Sequence, residues 1–120
     1  HDDEIYRILR ESGLALATYP PDDASYKQYA DPGKVKMYLA AGLPVLITGV
    51  PPIAGEIAER EAGVVVRYDA AALADAVTAC FNDESRYRRL RVNARSLGRE
   101  YDWNAVWRRT FPATWGDGVI

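Results

Sequence analysis

The stretch with the most chemical content is Asp31-Pro32-Gly33-Lys34, where a loop runs into a helix. The first turn of a helix offers backbone N–H groups without intrahelical partners and a partial positive charge, and both suit a phosphate. Gly33 permits close approach of a ligand to the backbone, and Lys34 adds a full positive charge. On spacing alone, a plain loop-to-helix junction with Lys34 in solvent fits equally well. Other chemistries find little to work with. His1 is the single histidine and Cys80 the single cysteine, so no histidine or cysteine metal site, no histidine-based triad and no disulfide framework is expected. A second junction at Pro51, Pro52 and Glu56 lies beside the first; its prolines read as stiffening a turn over residues 49–52 rather than closing over a ligand.

Charge narrows the class further. Fifteen basic residues against 17 acidic ones give a formal net charge of -2, which does not supply the sustained basic surface of a nucleic-acid-binding module. With 48% hydrophobic and 27% charged residues the chain has the composition of a soluble globular protein, and its 120 residues suffice for one domain. No apolar run approaches the roughly 20 residues that span a bilayer. No N-terminal pattern resembles a secretion signal, so the expected setting is the cytoplasm or the cytoplasmic face of a membrane.

These residues need elements to hold them. Ile5, Ile8 and Leu9 at helical spacing predict a helix over residues 3–11, ended by Gly13, with a short apolar strand over 14–18. Residues 19–32, rich in Pro, Asp and Tyr, form a long aperiodic loop, which in a compact domain is more often functional than idle. A helix from Pro32 and Gly33 to Ala41 follows, with Gly42 as its C-terminal cap. Then come a buried strand over 44–47, a helix over 53–61 and a strand over 63–68. Asp69 caps a helix through Leu73, Val77 and Phe81. From Asp83, Tyr87, Leu90, Ala94, Leu97 and Tyr101 recur every three or four residues and predict one long helix. Its arginines, Arg86 to Arg99, fall mostly off that stripe. Glu84, Glu100 and Asp102 interrupt them, so a solvated face is the simpler reading than a contact with anionic lipid. Trp103 and Trp107 anchor a last short helix, and residues 112–120 form a flexible tail.

All-apolar short strands alternating with helices predict an α/β fold with a parallel sheet covered on both faces, followed by C-terminal helices. In such sheets ligands bind beyond the carboxyl ends of the strands, and the junction at Gly33 and Lys34 occupies that position. Three strands are few for a doubly wound sheet, so residues 1–111 are expected to be part of a larger Rossmann-like domain whose other strands lie upstream.

The run Asp31 to Val45, with Pro32-Gly33-Lys34 followed by Tyr38-Leu39-Ala40-Ala41-Gly42-Leu43-Pro44-Val45, resembles the signature of family-4-type glycosyltransferases. Downstream, Gly55-Glu56-Ile57, Ala62-Gly63-Val64-Val65-Val66 and Tyr101-Asp102-Trp103 are similar to the same enzymes, so the resemblance covers nearly the whole chain. It implies the C-terminal donor domain of a two-domain GT-B enzyme, which transfers a hexose from a nucleoside-diphosphate sugar to an acceptor. By the same resemblance the anomeric configuration is retained, and protein groups rather than a metal neutralise the diphosphate. Gly33 and Lys34 would face the diphosphate. Tyr29, Asp31, Met37 and Tyr38 would lie near the sugar or ribose.

The sequence departs from the family at one point. Two glutamates eight positions apart bracket the family's donor loop, and here Tyr29 and Met37 stand there. Neither supplies a carboxylate; Asp31 is the one offered nearby. No catalytic residue is assigned, and the N-terminal acceptor domain is the expected partner, so the chain alone is expected to be an incomplete enzyme. Peripheral membrane association of the full-length enzyme stays open. Two other readings are a nucleotide-sugar epimerase of the same architecture, which would need histidines and carboxylates in its cleft, and a non-catalytic flavodoxin-like interaction module, which would need no Lys34 at a helix start.

Overall fold

A computed structural model of the chain describes residues 2–21 and 33–101. Among the described residues eight elements follow one another: α1 (Asp2–Glu11), β1 (Ala15–Ala17), α2 (Gly33–Ala40), β2 (Val45–Thr48), α3 (Ile53–Glu59), β3 (Gly63–Val66), α4 (Ala70–Asn82) and α5 (Glu84–Glu100). The strands form one parallel sheet in the order β1-β2-β3. The mixed α/β class and the parallel sheet expected from the apolar strands are therefore present.

Every residue of β2 is buried because both faces of the central strand are covered. Val45 and Ile47 point to a larger cluster with Val35 and Leu39 of α2, Ile53 and Ile57 of α3, and Ala94 and Leu97 of α5. Leu46 points the other way, to Cys80 of α4 and Leu90 of α5. Helix α5, like β2, thus contributes to both clusters. Each fully buried Leu, Ile or Val is worth roughly 1.5–3 kcal/mol of transfer free energy, so this strand and the helices over it dominate the stability.

Local signals set the element ends. The Asp69 carboxylate accepts from the Ala72 N–H at 2.8 Å and the Asp83 carboxylate from the Arg86 N–H at 3.0 Å, which fixes the starts of α4 and α5. At the end of α2, Gly42 adopts φ 78°, and the Leu43 N–H donates to the Tyr38 carbonyl while the Gly42 N–H donates to that of Leu39. This is a Schellman ending, and the left-handed residue it needs is the glycine the sequence supplies. Helix α3 ends the same way with Glu61 at φ 51° and the Ala62 N–H on the Ile57 carbonyl.

Gly98 of α5 packs on α2 so closely that a Cβ there would lie 2.6 Å from the Ala40 nitrogen and 2.7 Å from the Leu39 carbonyl carbon. The two helices touch backbone to backbone, which fixes α2.

Several expectations shift. Of the α1 stripe only Leu9 is buried; Ile5 and Ile8 are exposed, because α1 meets the core through its last turn alone. The strand expected over 14–18 narrows to Ala15–Ala17, that over 63–68 to Gly63–Val66, and the helix over 53–61 stops at Glu59. Phe81 is exposed on α4 and leans on the Tyr87 ring at 5.4 Å; the residue buried beneath it is Cys80, whose small side chain fits between Leu46 and Leu90. Tyr29, Asp31, Trp103, Trp107 and the tail 112–120 lie outside the described residues.

Candidate functional site

The carboxyl ends of all three strands open on the same edge of the sheet, since the strands are parallel and in register. Three segments leave there: Thr18 to Pro21 after β1, Gly49 to Pro52 after β2, and Arg67 to Asp69 after β3. Helix α2 begins at Gly33, the residue at which the chain returns from the first of these segments.

Thr48, the last residue of β2, is buried and organises this edge. Its hydroxyl accepts from the Tyr19 N–H at 2.7 Å and donates to the Tyr19 carbonyl at 2.8 Å. One side chain therefore satisfies both backbone groups of Tyr19 and pins the chain as it leaves β1 to the end of β2. Tyr19 in turn meets Lys34: the ammonium lies 5.4 Å from the ring centroid, within the range of a cation–π contact. The sequence of contacts Thr48, Tyr19, Lys34 brings the cation of the α2 start to the carboxyl edge of the sheet.

Gly33 and Lys34 are both exposed. A Cβ on Gly33 would meet nothing within 4 Å among the described residues, so none of them demands a glycine there. Met37 and Tyr38, one turn on, are half-buried and pack against the larger core cluster.

Beside this junction, a cavity of about 760 Å³ opens between the ends of β2 and β3. Pro21, Thr48, Pro51, Pro52, Arg67 and Tyr68 are among its walls. Arg67 and Tyr68 also wall a smaller cavity of about 300 Å³ that reaches Thr18 and the start of α4. The Arg67 guanidinium lies 4.0 Å from the Asp69 carboxylate and remains largely in solvent. The edge thus carries two cations, Lys34 and Arg67, two tyrosines and a proline-walled hollow. That combination suits a ligand with an anionic part and a flat or ring-shaped part.

Sequence reasoning singled out Lys34 and Gly33 but missed Thr48, Tyr19, Arg67 and Tyr68. The available signal for Thr48 was a hydroxyl closing an otherwise all-apolar strand, where a buried polar group must have a partner. Tyr19 stood at the boundary of the loop and Arg67 in an apparent strand, so neither carried a pattern. Among the described residues no group of three His, Cys, Asp or Glu gathers as a metal site would require, and no helix is long and apolar enough to cross a membrane.

Arg60 is held more firmly protonated by a hydrogen bond from its guanidinium to the Glu100 carboxylate, which also forms its ion pair. Burial pushes the Cys80 thiol up, and the charge of Arg86 offsets this in part.

Residues 2–102 match the model of the glucosyltransferase 3-like, C-terminal domain family, which spans most of the chain and all of the described residues. The chain belongs to this glucosyltransferase-related family. No curated protein and no solved structure matches it significantly.

Proposed function

We propose that this chain is the nucleotide-sugar-binding part of a two-domain glycosyltransferase of GT-B architecture, with its sheet forming one side of a larger Rossmann-like domain. The observation that carries the reading is Lys34 in the first turn of α2, held by Tyr19 at the carboxyl edge of a parallel sheet, in a chain of a glucosyltransferase-related C-terminal domain family. The donor is a nucleoside-diphosphate sugar. Its diphosphate lies over Gly33 and Lys34, where the backbone N–H groups and the ammonium meet the charge that grows on the leaving group as the glycosidic bond breaks.

The sugar or ribose faces the segment of Tyr29 and Asp31 and the α2 flank bearing Met37 and Tyr38. Protein groups, not a metal, offset the diphosphate charge, the reaction is hexosyl transfer with retention, and an N-terminal domain supplies the acceptor site. The enzyme works in the cytoplasm.

An NMR titration of the 120-residue chain with UDP, GDP, ADP and their sugars tests this. The expected result is saturable shifts centred on Gly33, Lys34 and Tyr19 with at least one nucleotide. Lys34→Ala should weaken that binding by about tenfold, the worth of one charge-assisted hydrogen bond. Shifts scattered over the surface, or an affinity unchanged in Lys34→Ala, would overturn the assignment.

A further inference from the structure

Tyr101 closes the apolar stripe of α5, and its side chain does more than fill the core. Its backbone N–H donates to the Gly98 carbonyl at 3.1 Å, so its place follows from the close seat of Gly98 on α2. From there its ring lies against Lys36 of α2, whose ammonium is 4.7 Å from the ring centroid. Its hydroxyl donates to the carboxylate of Glu56 on α3, 45 positions earlier in the chain. One side chain thus touches both α2 and α3, two of the helices that start at the carboxyl edge of the sheet.

The contact with Lys36 has a counterpart. Lys34 and Lys36 flank Val35, and at about 100° per residue their side chains leave α2 roughly 200° apart. Each ammonium is seated on a tyrosine: Lys34 on Tyr19, where the chain leaves β1, and Lys36 on Tyr101, at the end of α5. Val35 and Leu39, four apart, are the buried residues of α2 and make one line of contact with the core, about which a short helix can rock. Gly98 holds the far end of that line, at Leu39 and Ala40. The near end, which bears Gly33, is braced on both sides by the two lysines on their rings.

We infer that Tyr101 is a positioning residue. By bracing Lys36 it fixes the rocking of α2 on the core, and with it the direction in which the N–H groups of Gly33 and Lys34 face. Through Glu56 it ties α3 to the same setting. The inference rests on the donor reading only for what those N–H groups hold.

The test compares the unliganded 120-residue chain with three variants by NMR, using residual dipolar couplings, which report N–H directions. In the parent, the Lys36 side-chain protons next to the ammonium should lie upfield of their ordinary position, because an aromatic ring faces them. Tyr101→Phe keeps the ring and loses the hydroxyl. It should leave the Lys36 signals and the α2 couplings as in the parent, while the amides around Glu56 shift. Tyr101→Leu removes the ring, so the Lys36 signals should return to their ordinary position and the couplings of residues 33–36 change, with those of β2 and α4 retained. Lys36→Met releases α2 from the other partner, leaves α5 intact and should change the same couplings, which decides the matter where Tyr101→Leu does not fold. The nucleotide that binds the parent should bind Tyr101→Leu about two- to fivefold more weakly, the worth of an exposed cation–π contact, and Tyr101→Phe as well as the parent. Lys36 protons at their ordinary position in the parent, α2 couplings unchanged in Lys36→Met, or equal nucleotide affinities in the parent and Tyr101→Leu would each overturn the inference. A parent that binds no nucleotide would instead overturn the donor reading, and the couplings of the unliganded chain would still decide whether Tyr101 sets α2.

Discussion

Replacing Gly98 by alanine sets two opposed effects against each other, and the structure decides between them. In an exposed helix the change would stabilise by about 1 kcal/mol, because glycine is the costlier helix residue. At this position the new Cβ would lie 2.6 Å from the Ala40 nitrogen, 2.7 Å from the Leu39 carbonyl carbon and 2.8 Å from the Ala40 Cα. Favourable contact between heavy atoms begins near 3.5 Å, so α5 and α2 must separate by roughly 1 Å. All three obstructing atoms are backbone, and no side-chain rotation relieves them. Forcing an extra methyl into packing of this kind costs about 1–3 kcal/mol, and the separation also loosens Leu39 against Ala94 and Leu97.

The clash prevails, and Gly98→Ala should lose about 1–2 kcal/mol net. For a domain of this size that lowers the melting temperature by about 4–8 °C per kcal/mol. Urea unfolding followed by circular dichroism measures it, with an unchanged slope showing that the unfolded state is the same. Ser96→Ala, on the exposed side of the same helix, should instead gain a few tenths of a kcal/mol. A Gly98→Ala protein as stable as the parent would show that α2 and α5 do not meet backbone to backbone.

Two further outcomes are expected. Thr48→Val keeps the shape but removes the two hydrogen bonds to the Tyr19 backbone; at about 0.5–1.5 kcal/mol per hydrogen bond the loss should be about 1–3 kcal/mol, while Thr48→Ser retains most of the stability in the same urea assay. Cys80 gives a pH dependence: its folded thiol is raised by burial, so above the ordinary thiol pKa of about 8.5 the unfolded chain releases a proton that the folded chain keeps. Stability from this group is full below that pH and falls as pH rises through it, and Cys80→Ala should flatten that part of a stability–pH curve after allowance for the cavity it leaves.

Much of the fold was legible because the signals were local. The all-apolar run at Val45 to Ile47, the cap Asp69, the glycine at position 42 and the apolar stripe of α5 each act through near neighbours in sequence, and each predicted its element. What failed to show depended on partners far along the chain. Periodicity could place Ile5 and Ile8 on one face of α1 but not say whether anything covers that face. Phe81 and Cys80 are adjacent, and only the position of Leu46 and Leu90 decides which of them turns inward. In the candidate site, Lys34 was visible through its place at a helix start. Thr48 was not, because its role is a pair of hydrogen bonds to a residue 29 positions away.

The close seat of α5 on α2 also bears on the order in which the chain acquires its shape. Helix α2 is only eight residues long, shorter than an isolated helix needs to persist in water, and its tightest neighbour is synthesised far downstream. During translation β1 and β2 can pair before α5 exists, but the turn that bears Gly33 and Lys34 has little to hold it until Gly98 has emerged and docked. The candidate edge is thus assembled last, so a nascent or C-terminally truncated chain would carry its residues without its geometry.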